Sequence, residues 1–118
     1  ISLECGVLVN STLKSPGYPF RYPADMDCEY FVPIPPGGPM EIYFVDFDVE
    51  FDPSCSYDIV KIANDQNYTL GEYCGRRTGQ TVAVYGNFAS ITFHTDSSVG
   101  KRGFFFRFKT VPAGLYSS

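Results

Sequence analysis

Apolar and polar side chains alternate along much of this chain with a period of two. Between residues 88 and 94, Ala89, Ile91 and Phe93 fall on one side of an extended chain, and Ser90, Thr92 and His94 fall on the other. That is the pattern of a half-buried antiparallel strand. Residues 40–47, 57–62, 81–85 and 104–109 are equally rich in aromatic and β-branched side chains, and 28–32 is a shorter run of the same kind. In the run from 104, Phe104, Phe106 and Phe108 share one face. The segments between these runs are turn formers: Pro35-Pro36-Gly37-Gly38-Pro39, Asn64-Asp65-Gln66-Asn67, Gly86-Asn87 and Gly100-Lys101-Arg102-Gly103. No window places apolar residues at three- and four-residue spacing between helix caps. The pattern predicts an all-β domain, a sandwich or a barrel of many short antiparallel strands with the aromatic rings as its core.

Composition agrees with a single packed domain. The chain has 118 residues, of which 44% are hydrophobic and 17% aromatic, enough apolar surface to build one core. The net charge of −4 excludes a general nucleic-acid binder, which needs a basic footprint on the phosphates. No uncharged run is apolar enough for a membrane helix. Residues 1–5 have neither the basic start nor the apolar stretch of a secretory leader, so any leader is expected to have been removed. Residues 111–118 read as a linker behind a domain of residues 1–110, as in one module of a longer protein.

The four cysteines, Cys5, Cys28, Cys55 and Cys74, include no C-x-x-C pair, and His94 is the single histidine. A zinc site is therefore not expected, and two disulfides are. Three pairings are possible. The expected one is sequential, Cys5–Cys28 and Cys55–Cys74, which closes two short loops worth about 3 kcal/mol each in unfolded-state entropy. Two glycosylation sequons, at Asn10 and Asn67, point to the same secreted or ectodomain compartment.

One stretch concentrates charge. Asp46, Asp48, Glu50, Asp52 and Asp58 fall within thirteen positions with no Lys or Arg among them. On a regular strand the first four would line one face and repel each other. Either they fan into solvent or they hold a cation, and oxygen ligands of this kind suit Ca²⁺. Spacing alone leaves both alternatives open. Asp96-Ser97-Ser98 adds a second acidic patch after the strand that ends at His94. Catalysis is not expected. His94, Asp96 and Ser98 supply the residue types of a hydrolase triad, but side chains two apart on a strand diverge, and no nucleophile elbow is present. A paired-carboxylate glycosidase would need a cleft that so short a chain has little room for.

In order along the chain, Cys5-Gly6, Ser15-Pro16-Gly17-Tyr18-Pro19, Tyr22-Pro23, Cys28, Pro35-Pro36-Gly37 and Phe47-Asp48-Val49-Glu50 are followed by Cys55-x-Tyr57-Asp58, Tyr73-Cys74-Gly75, Phe93-x-Thr95-Asp96-Ser97-Ser98 and Gly103-Phe104. From Cys5 to Phe108 this series resembles the CUB domain. Tyr30 departs from the family, which often has Trp there. The resemblance implies a two-sheet antiparallel jelly-roll β-sandwich with sequential disulfides, serving as an extracellular interaction module and not as an enzyme.

The resemblance also implies a calcium site like that of a large subset of the family. Glu50, Asp58 and Asp96 match its carboxylate ligands, the carbonyl of Ser98 matches its backbone ligand, and Tyr22 matches a tyrosine expected to position Glu50 through its hydroxyl. In this reading Asp46, Asp48 and Asp52 stay in solvent. A partner Lys or Arg is then expected to reach Glu50, Asp58 and Asp96 beside Tyr57. Alternatives are a carbohydrate or glycosaminoglycan adhesin using Arg76-Arg77 or Lys101-Arg102, and a substrate-docking module of an extracellular protease.

Overall fold

The structure, a computed structural model, describes residues 5, 8–98 and 100–110. The expected linker at 111–118 lies outside the described residues. Among the described residues nine strands follow one another: β1 (Thr12–Lys14), β2 (Asp27–Pro33), β3 (Met40–Val49), β4 (Ile59–Ala63), β5 (Thr69–Tyr73), β6 (Gly75–Arg76), β7 (Thr81–Val84), β8 (Phe88–His94) and β9 (Gly103–Thr110). They form two antiparallel sheets. In one, the order is β1-β9-β3-β6 with β7 also paired to β3; in the other it is β2-β8-β4-β5. The all-β domain expected from the alternation forms, and it takes the two-sheet sandwich form that the resemblance implies. Three strands go unpredicted: β1 and β6 are too short to show a period, and β5 is mostly exposed and interrupted by Gly71.

Alternation decides which face each strand buries. In β8, Ala89, Ile91 and Phe93 are buried, while Ser90 and Thr92 are only partly so and His94 is exposed. Cys28, Tyr30 and Val32 do the same for β2. In β3 the parity changes midway. Met40, Ile42 and Phe44 point inward, and then Phe47 and Val49 do. Pairing with β9 slips between Phe44 and Asp46, so Val45 is the extra residue of a β-bulge. Without that bulge Asp46 and Asp48 would face the core, where unpaired carboxylates are costly.

The core is a run of aromatic rings. Phe106 lies 4.7 Å from Phe44 and 4.6 Å from Phe104, ring centre to ring centre. Phe104 meets Phe93 edge-on at 5.1 Å, and Phe93 meets Tyr22 edge-on at 5.0 Å. Tyr22 thus ends a contiguous aromatic series that begins mid-sandwich. Disulfides join Cys5 to Cys28 and Cys55 to Cys74, with Cα separations of 5.7 and 5.6 Å.

Candidate metal centre

Antiparallel order brings four chain segments to one end of the sandwich. Glu50 follows the last residue of β3, Asp58 precedes β4, Asp96 lies two residues past the end of β8, and Tyr22 lies in the connection from β1 to β2. Carboxylate oxygens of Glu50, Asp58 and Asp96 all lie within 4.8 Å of one another.

Asp58 is the pivot, with 0% of its surface exposed. Its Oδ2 accepts a hydrogen bond from the Tyr22 hydroxyl at 2.5 Å, and its Oδ1 accepts one from the Asp96 amide at 2.8 Å. The same Tyr22 oxygen accepts the Glu50 amide at 3.0 Å. Tyr22 was expected to position Glu50 through its hydroxyl. The structure refines this: the hydroxyl fixes the backbone of Glu50 and the carboxylate of Asp58. Burial first, and then the bond to Asp58, raise the Tyr22 hydroxyl far above the ordinary tyrosine range, so it stays a donor.

Ser98 closes the outer side. Its amide and hydroxyl donate to Asp96 Oδ1 at 3.0 and 2.7 Å, and its hydroxyl reaches Glu50 Oε1 at 3.3 Å. These bonds hold the Asp96 carboxyl below its usual range. Glu50 is pushed the other way, by desolvation and then by the charges of Asp58 and Asp96. Among the described residues no Lys or Arg forms an ion pair with any of the three. Three converging carboxylates, one fully buried and none paired with a protein cation among the described residues, form an oxygen donor set suited to a hard divalent ion.

The surroundings are built to keep this shape. The Thr95 hydroxyl accepts the Met26 amide at 2.7 Å and donates to the Pro23 carbonyl at 3.1 Å, and the Asp25 amide donates to the Asp96 carbonyl at 2.7 Å. Thr95 belongs to the motif read from the sequence, yet no role followed from it there. Asp52 accepts the amides of Ser54 and Ser56, curling the loop that carries Cys55. Tyr57, beside Asp58, is 47% exposed. A hollow of about 520 Å³ opens next to Glu50, between Phe51, Asp48 and Lys101.

The remaining acids of the cluster separate from the site. Asp46 is not a solvated charge: Arg102 grips it with two bonds of 2.7 and 2.9 Å, and the Tyr18 hydroxyl donates to it at 2.6 Å. Arg102 chiefly, assisted by Tyr18, lowers its carboxyl to about 2. Asp48 faces Arg76 at 3.9 Å. Asn10 and Asn67 are exposed in turns with φ of 50° and 63°, at the opposite strand ends from the acid cluster.

The CUB domain family model matches residues 7–108. The chain is 34% identical over 109 residues to pig cubilin, covering 87% of this chain and 3% of that protein, so it spans a small fraction of that relative's length. Among solved structures, the full extracellular region of zebrafish Gpr126/Adgrg6 superposes with a TM-score of 0.80 at 33% identity, over 92% of this chain and 15% of that one. A MASP-1 CUB2 domain bound to Ca²⁺ superposes with a TM-score of 0.75 at 28% identity, over 84% of this chain and 90% of that one. The chain belongs to the CUB domain family, whose members are extracellular, non-catalytic modules of protein–protein interaction.

Proposed function

We propose that this domain captures an extracellular protein partner through Ca²⁺ held by Glu50, Asp58, Asp96 and the carbonyl of Ser98. The convergence of three carboxylates around the buried, cation-free Asp58 carries this reading. The MASP-1 neighbour bound to Ca²⁺ supports the choice of ion. Calcium would supply the charge that Asp58 lacks and would clip the loop of residues 51–57 to the loop beyond Asp96.

With three carboxylates and one Ca²⁺ the local charge is −3 + 2 = −1. That balance leaves outer oxygens of Glu50 and Asp96 able to accept hydrogen bonds from an incoming Lys or Arg, with exposed Tyr57 beside them for its alkyl stem. Glycans at Asn10 and Asn67 would stand at the far end of the sandwich and leave this site open.

The test is thermal unfolding in saturating Ca²⁺ and in EDTA, paired with retention on an immobilised Lys-containing peptide. Free Ca²⁺ at a hundred times Kd should stabilise the fold by about 2.7 kcal/mol. Retention should require calcium, and Asp96→Ala should abolish both effects. Coincident melting curves in calcium and EDTA would overturn the metal reading. Calcium-dependent melting with calcium-independent retention would overturn the capture reading alone.

A further inference from the structure

Basic residues are distributed unevenly between the two sheets. The four-stranded sheet carries a single cation on its strands, Lys61, against Asp27, Glu29 and Glu72. The five-stranded sheet carries Lys14, Arg76, Arg107 and Lys109 against Glu41, Asp46 and Asp48. Each of those three acids has its own basic counterpart. Glu41 lies opposite Lys109 in register, Asp46 is bound by Arg102, and Asp48 faces Arg76. Lys14 and Arg107 are left over, with no carboxylate partner among the described residues.

The two unmatched cations sit together. Lys14 pairs with Phe105 across β1 and β9, and Arg107 lies two residues further along the same face. The Lys14 ammonium is 5.0 Å from the centre of the Phe105 ring, and the Arg107 guanidinium is 6.0 Å from it. One ring therefore holds two like charges. Its quadrupole offsets only part of their repulsion, and an anion between them would offset the rest. Beside them, directly opposite Arg107 on β3, Tyr43 is 42% exposed.

We propose that this outer face along β1, β9 and β3 binds a sulfated polysaccharide, with Lys14 and Arg107 on its sulfates. Paired cations beside an open aromatic ring match a sugar that carries its anions on a flat ring: the C–H face lies on Tyr43 while sulfates reach the fork of Arg107 and the ammonium of Lys14. An acidic peptide would satisfy the cations but leave Tyr43 without a planar partner. The compartment supplies such polymers. Three of the four side chains in the dibasic pairs that the sequence suggests for this task are already engaged, Arg76 facing Asp48. Arg102 is committed to Asp46, and Arg77 donates to the Cys74 carbonyl while lying over Tyr73.

The test is salt elution of the full chain from heparin, from a sulfonate exchanger and from immobilised polyglutamate, in EDTA so that the acidic end takes no part. Heparin should hold the protein to higher salt than either other resin. Lys14→Gln with Arg107→Gln should weaken heparin binding at least tenfold and flatten its log–log salt dependence by about one to two. Arg76→Gln with Arg77→Gln should leave it unchanged. Both changed pairs are exposed, and an unaltered melting temperature in each variant confirms folding. Equal retention on heparin and sulfonate, or loss with the Arg76/Arg77 pair instead of the Lys14/Arg107 pair, would overturn the proposal. Tighter retention on polyglutamate would replace the polysaccharide with an acidic protein.

Discussion

The phenolic oxygen of Tyr22 lies 2.5 Å from Oδ2 of Asp58, and both side chains are buried. One hydroxyl thereby joins two of the three acids, since it also accepts the Glu50 amide. Tyr22→Phe keeps the ring against Phe93 and removes only the oxygen. It leaves a buried carboxylate and an amide each short of a partner, so the metal-free domain should lose about 1–3 kcal/mol. Calcium affinity should fall about 10–100-fold, as when an orienting partner of a metal ligand is deleted. Unfolding in EDTA measures the first effect and calorimetric titration the second. A stability loss with unchanged affinity would make Tyr22 a core residue and nothing more.

The Asp46–Arg102 pair sets a pH dependence away from the metal centre. Asp46 has a folded carboxyl value of about 2, lowered mainly by Arg102. A depressed carboxyl contributes stability that is fully present above the unfolded aspartate range, near 3.8, and is lost as pH falls through the folded value. Asp46→Asn should therefore lower the melting temperature in EDTA at neutral pH. The gap to the unchanged protein should narrow as pH falls from about 4 toward 2. A gap constant across that range would mean the carboxylate charge contributes nothing.

The convergence of Glu50, Asp58 and Asp96 was legible through the family resemblance and not from alternation or spacing, which left a solvated acidic edge and a cation site both open. Strand parity alone would have placed Asp46, Asp48, Glu50 and Asp52 on one face. The bulge at Val45 lies before all four and turns Asp46 and Asp48 together off the core face, and β3 ends at Val49, so Glu50 and Asp52 leave the strand; no residue announces the bulge, since Val45 is an ordinary strand former. The β5 strand stayed hidden for a related reason. Gly71 lacks a side chain because the Tyr73 ring occupies that space, so the segment shows a gap in place of a period. The bonds that tie Arg102, Tyr18 and Thr78 to Asp46 span 28 to 56 residues, separations at which pattern gives no signal.

The Cys55–Cys74 bridge should act on calcium as well as on stability. It spans 19 residues and anchors the loop that presents Asp58. Replacing both cysteines with Ala should cost about 3 kcal/mol through the freed unfolded chain. The loop from Phe51 to Tyr57 would also lose a fixed end, so calcium affinity should drop. The matched Cys5–Cys28 double variant should lower stability with a smaller effect on affinity. Melting curves and calcium titrations of the two double variants decide it, and equal losses of affinity would mean that the second bridge has no local role.

Gly103 links backbone conformation to the same site. Its φ is +99°, and a Cβ there would collide with the Ser15 hydroxyl and press on the Tyr22 ring at 3.3 Å. Ser15 is itself occupied, accepting the Phe104 amide at 3.0 Å. Gly103→Ala therefore imposes left-handed strain and displaces two buried neighbours. The loss should exceed the roughly 1 kcal/mol of the conformational effect alone, and because Tyr22 is pushed, calcium affinity should fall with it. Gly79→Ala is the control. It has φ of +94° but nothing within 4 Å of the added carbon, so it should show the backbone cost with calcium affinity unchanged. If both variants lose stability equally and keep their affinity, Tyr22 does not transmit the displacement to Asp58.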